Sequence, residues 1–127
     1  MDEGARVPHF PGQVPVDGYG RGGFRFAGMS HRGSLLCLPS GIWAWPVIAA
    51  DAITADTLAP VIAEADRIAL LVIGTGETRW TPPQDLMLLL AQNGISVETA
   101  RTGQAANTYN ILLDEGRRVA AALIATM

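Results

Sequence analysis

The stretch Ile68-Ala69-Leu70-Leu71-Val72-Ile73-Gly74-Thr75-Gly76 decides the architecture. An unbroken apolar run from Ile68 to Ile73 leaves no polar face, the pattern of a strand covered on both sides, and Gly-Thr-Gly ends it. Ahead of it, Leu58, Val61, Ile62 and Ala65 recur at helical spacing, so a helix is expected from about Thr57 to Ala65, with Asp56 or Thr57 placed to cap its first amides. Behind it, Pro82-Pro83 opens a second helix carrying Leu86, Leu89 and Leu90 on one face, and Asn93-Gly94 supplies the stop. Ile95 to Thr99 reads as a short strand, and Gln104 to Asp114 as a third helix ended by Gly116. Val119 to Ala125 is alanine-rich enough for a helix, yet the break at Gly116 and the order of elements favour a last buried strand. Strand, helix, strand, helix, strand calls for a sheet with helices packed on it, and right-handed crossovers leave few topologies.

Upstream, the period is shorter. Gly23-Phe24-Arg25-Phe26, Met29 to His31 and Ser34 to Leu38 are short apolar stretches bounded by glycines or Pro39-Ser40-Gly41, as strands are. Gly41 to Val47 continues the series, with Pro46 favouring an edge or a strand end. Met1 to Pro15 holds Pro8, Pro11 and Pro15 with little apolar periodicity and reads as an extended or disordered arm, residues 1–15. Residues 16–127 then form one α/β domain in three layers. Its centre is a mixed, mainly parallel sheet with helices packed on it, and an additional amino-terminal β layer completes the fold.

The bulk numbers agree. At 127 residues, 49% hydrophobic and 17% charged, the chain holds core material for one domain. A formal charge of -3 and a pI near 5.2 exclude a general attraction for nucleic acid. All nine basic residues are arginine, which we read as base composition. No apolar run approaches the roughly 20 residues of a membrane-spanning helix, and Asp2 and Glu3 do not suit a signal peptide or a presequence, so a cytoplasmic protein is expected. Monomer and homodimer are equally compatible with the sequence.

Chemistry is sparse. Cys37 stands alone in an apolar strand, where an inert core thiol is expected. His9 and His31 are far apart in the chain and match no metal spacing or triad, so no catalytic residue, metal or cofactor is assigned. Trp43, Trp45 and Trp80 are shared between core and a partner surface. Two loops leave the carboxyl ends of predicted parallel strands, Gly74-Thr75-Gly76 and Arg101-Thr102-Gly103, and that edge is where open α/β sheets bind ligands. Glycines there let backbone approach a small anion, with Arg79 and Arg101 adding charge, although the phosphate-loop pattern and GxGxxG are absent. A second polar cluster is Asn107-Thr108-Tyr109-Asn110 with Glu115, whose side chains can either converge on a ligand or satisfy local backbone. The candidate ligand-binding set is therefore Gly74, Thr75, Gly76, Arg101, Thr102, Asn107, Tyr109, Asn110 and Glu115.

Several of these segments carry a resemblance. Asp17-Gly18-Tyr19-Gly20 with Gly23-Phe24, Leu71 to Gly76, Gly94 to Glu98, and Asn107 to Asn110 continuing through Glu115 to Ile124 resemble a domain of unknown function shared by many small bacterial and archaeal proteins. The same domain occurs in the mitochondrial complex I assembly factor three and in the adipogenesis-associated domain protein of animals. The resemblance implies the three-layer α/β fold and brings no catalytic residues with it. It implies a non-enzymatic protein that assists assembly of a respiratory, complex I-like membrane complex through protein partners. The alternative is a binder of a small molecule or anion, with or without weak activity, using a polar crevice at the strand ends.

Overall fold

The computed structural model describes residues 8–127. Strands β1 (Gly18–Gly20), β2 (Gly23–Phe26) and β3 (Met29–Arg32) form a small antiparallel sheet. Strands β4 (Ser34–Leu38), β5 (Gly41–Trp45), β6 (Leu70–Gly74), β7 (Ser96–Ala100) and β8 (Val119–Leu123) form the main sheet in the order β5-β4-β8-β6-β7. It is mixed: β6 runs parallel to both β7 and β8, while β4 is antiparallel to β5 and β8. The helices are α1 (Ala59–Ala63), α2 (Gln84–Gln92) and α3 (Thr102–Asp114).

The apolar run around β6 is buried on both faces because it has neighbours above and below. Leu71 and Ile73 point into a core with Val61 of α1 and Leu86 and Leu90 of α2. Val72 points the other way, toward Ala105, Ala106 and Tyr109 of α3 and toward Phe24 and Phe26 of the small sheet. Chain direction explains the division: the step from β6 to β7 and the step from β7 back across β6 to β8 go opposite ways, so crossovers of one hand put α2 and α3 on opposite faces. The same alternation runs through β4 and β8, with Leu36, Leu38, Ala120 and Ala122 on the α1/α2 side and Leu35, Cys37, Ala121 and Leu123 on the α3 side. The alanines of β8 belong to the centre of the sheet, where small side chains let layers close tightly on both faces.

Most element boundaries agree with the sequence to within a residue or two. The expected helix from Thr57 to Ala65 is an exception: only Ala59–Ala63 is α-helical, followed by a 3-10 turn at Ala65–Arg67. The Thr57 hydroxyl accepts from the Thr54 amide at 2.8 Å and donates to the Thr54 carbonyl, a local turn, and neither Asp56 nor Thr57 caps the helix. Gly94, at φ +77, is the left-handed stop expected after α2. Of the expected amino-terminal arm, residues 1–7 lie outside the described residues. Residues 8–15 run along the domain: the His9 amide donates to the Ile42 carbonyl at 2.7 Å, the Ile42 amide donates to the Phe10 carbonyl at 3.0 Å, and the Gln13 side chain donates to the Val119 carbonyl at 2.7 Å.

Candidate functional site

The carboxyl ends of β6 and β7 open on one rim, and their backbone is heavily tied. The Thr75 amide donates to the Ala100 carbonyl and the Thr102 amide to the Gly76 carbonyl, both at 2.9 Å. The Thr102 hydroxyl, fully buried, accepts from the Gly76 amide at 2.9 Å and donates to the Ile124 carbonyl at 2.7 Å. The Thr75 hydroxyl donates to the Thr78 carbonyl at 2.5 Å. The Thr75, Gly76 and Thr102 amides are thus occupied within the protein. The two glycines act differently. Gly76 sits at φ +83, a conformation that glycine adopts freely, whereas Gly74 has no positive φ. At Gly74 space is tight, since a Cβ would lie 3.0 Å from the Leu123 side chain and from the Thr102 backbone.

Beside this rim lies a crevice of about 530 Å3, lined by Thr75, Arg79, Trp80, Thr99, Arg101 and Gln104. Arg101 and Gln104 also wall a second crevice of about 610 Å3 with Gly76, Glu77 and Tyr19. Tyr19 and Gly20 in turn adjoin a third, of about 650 Å3, on the small sheet. Tyr19 lies against Gly103 so closely that a Cβ there would strike the phenol, which explains a glycine in the first turn of α3. Nothing in the spacing of Tyr19 and Gly103 announces this contact.

The other predicted residues are elsewhere. Tyr109 is buried, and its hydroxyl donates to the Val14 carbonyl at 2.8 Å. Asn110 accepts from the Val16 amide at 2.8 Å and donates to the Val16 carbonyl at 2.7 Å. Both therefore bind the amino-terminal segment to α3. Asn107 is exposed on α3, and Glu115 is exposed beyond its end, 3.7 Å from Arg117. Five of the nine candidates, Gly74, Thr75, Gly76, Arg101 and Thr102, gather at the strand ends, and Tyr109, Asn110, Asn107 and Glu115 do not join them.

Burial raises the Cys37 pKa to about 12, so the thiol is not nucleophilic near neutrality. Burial also raises the Tyr109 pKa, which disfavours proton transfer by its hydroxyl. The fold pairs His9 with His31, ring centroids 4.6 Å apart, a contact that sequence distance conceals. Burial, and then the neighbouring His9, lower the His31 pKa. Among the described residues no three His, Cys, Asp or Glu side chains converge to hold a metal. Of the tryptophans, Trp45 is core, with its indole donating to the Thr57 carbonyl at 2.8 Å, Trp43 donates to the Ser40 hydroxyl at 2.9 Å, and Trp80 lines the first crevice. Sequence reasoning also missed Glu64, whose carboxylate accepts from the Ser40 amide and hydroxyl and so fastens the β4–β5 turn to the end of α1.

Residues 16–124 match the model of a family described as proteins of unknown function (DUF498/DUF598). The chain belongs to that family. It is 41% identical to an uncharacterised protein of Rhodobacter capsulatus over 94% of this chain and 90% of that protein. It is 36% identical to the mouse NADH dehydrogenase [ubiquinone] 1 alpha subcomplex assembly factor 3, over 91% of this chain and 62% of the mouse protein. The chain thus spans about three-fifths of that relative's length. A crystal structure titled as an outer membrane protein from Bartonella henselae superposes with a TM-score of 0.90 at 47% identity, covering 94% of this chain and all of the other. Among the described residues no helix is long and apolar enough to cross a membrane.

Proposed function

We propose that this protein is an assembly-factor-like binding protein that acts by contacts with other polypeptides, on a respiratory complex of the NADH dehydrogenase type. The observation that carries this reading is the likeness to the mouse assembly factor over nearly the whole of this domain. The interior chemistry supports binding over catalysis: Thr102, Tyr109 and Asn110 spend their polar atoms on the chain's own backbone, and the Cys37 thiol is buried and protonated. The test is deletion of the coding sequence in the native cell, followed by native gels stained for NADH dehydrogenase activity. Less mature complex, with subassemblies accumulating and wild-type protein restoring it, is the expected result. An undiminished complex would overturn the reading.

A further inference from the structure

Charge is segregated on this molecule. With Arg6, Asp2 and Glu3 outside the described residues, eight arginines and ten acidic residues have described positions. Five of those arginines, Arg21, Arg25, Arg32, Arg79 and Arg101, line the three adjoining crevices, and Glu77 is the one acid that does so. Two further crevices, one between Ile53 and Leu89 and one beside Ile48 and Met127, have no arginine in their lining. None of the five forms an ion pair among the described residues; of the three arginines outside the crevices, Arg67 and Arg117 do, and Arg118 donates to the Asp66 carbonyl. A chain of net charge -3 thus carries a basic face from the small sheet across the start of α3 to the end of β7.

We propose that this face is a docking surface for an extended acidic segment of a partner polypeptide. The proposal rests on the assembly-factor reading and names the partner's chemistry. Unpaired guanidiniums recognise carboxylates through two parallel hydrogen bonds, and a concave wall of low dielectric strengthens the attraction. Tyr19 and Arg101 divide the face into successive crevices, which suits the spaced side chains of an extended peptide.

The test is fluorescence anisotropy of a labelled poly-glutamate peptide titrated with the full chain at low and moderate salt, beside an oligothymidylate of equal charge. Binding of the peptide that weakens with salt is expected. The pairs Arg79→Gln with Arg101→Gln and Arg25→Gln with Arg32→Gln should each weaken it by about tenfold. The pair Arg67→Gln with Arg117→Gln should leave it unchanged. All six positions are exposed, and circular dichroism confirms the fold of each variant. No peptide binding, equal loss in all three variants, or tighter binding of the oligonucleotide would overturn the proposal. The two readings fail separately: variants of the basic face that restore complex assembly in the deletion strain remove the docking surface and leave the assembly role standing, whereas an undiminished complex in that strain removes the role itself.

Discussion

The hydroxyl of Thr102 shows how a residue that reads as a ligand group becomes part of the frame. It accepts one buried backbone hydrogen bond and makes another, joining the ends of β6 and β8 to the first residue of α3. Thr102→Val keeps the shape and leaves the Gly76 amide and Ile124 carbonyl without partners, so a loss of about 1–3 kcal/mol is expected in denaturant unfolding, with Thr102→Ser costing less. Tyr109→Phe removes a bond to the Val14 carbonyl on a segment nearer the surface. Its expected cost is about 1 kcal/mol, measured the same way. A Thr102→Val protein as stable as the parent would show that these strand ends are not held as described. The sequence placed Thr102 in a loop at a strand end and Tyr109 in a polar cluster but could not identify their partners, because the partners are backbone atoms far away in the chain.

At the scale of elements, the small sheet stores local strain. β1 and β2 are joined by Arg21-Gly22 and β2 and β3 by Ala27-Gly28, and all four residues have positive φ. Two-residue turns of this hand match the twist of their strands and favour Asn at the first position, where Arg and Ala are disfavoured. Ala27→Asn should therefore stabilise the protein, by a few tenths to about 1 kcal/mol, seen as a rise in melting temperature. Arg21 bears the same strain, and its place in the basic face supplies a reason for arginine there. β1 was not legible as a strand, while the glycines around Gly23–Phe26 and Met29 to His31 made β2 and β3 legible. Their separation from β4 and β5 into another sheet was not, since short strands with similar composition do not declare which partners they take. The shortened α1 has a local cause: threonine hydroxyls at 54 and 57 compete for the backbone that a longer helix would need.

For the molecule as a whole, the amino-terminal segment and the histidine pair link stability to pH. The His31 pKa is lowered in the folded state by burial and by His9, so the unfolded chain takes up a proton first as the solution is acidified. Stability is therefore complete above the ordinary histidine value of 6.5 and declines as pH falls below it, until the folded histidine also protonates. Melting temperatures measured across that window should fall with acidification, and His9→Ala should make the decline shallower by removing the second charge. A profile that stays flat in the wild-type protein would contradict the pairing of the two rings.

What the sequence alone determined is the order and type of the carboxyl-terminal elements, because apolar period, proline and glycine act over neighbouring residues: the double-sided run at β6 and the stop after α2 are local statements, and β8 follows as a strand from the Gly116 break and the order of elements. The tertiary structure decided which polar side chains meet. It spent Thr102, Tyr109 and Asn110 on backbone, brought His9 to His31 and Tyr19 to Gly103, and gathered arginines from 21 to 101 onto one face. Such meetings depend on how sheet order and crossovers fold distant segments together, and no periodicity along the chain encodes them.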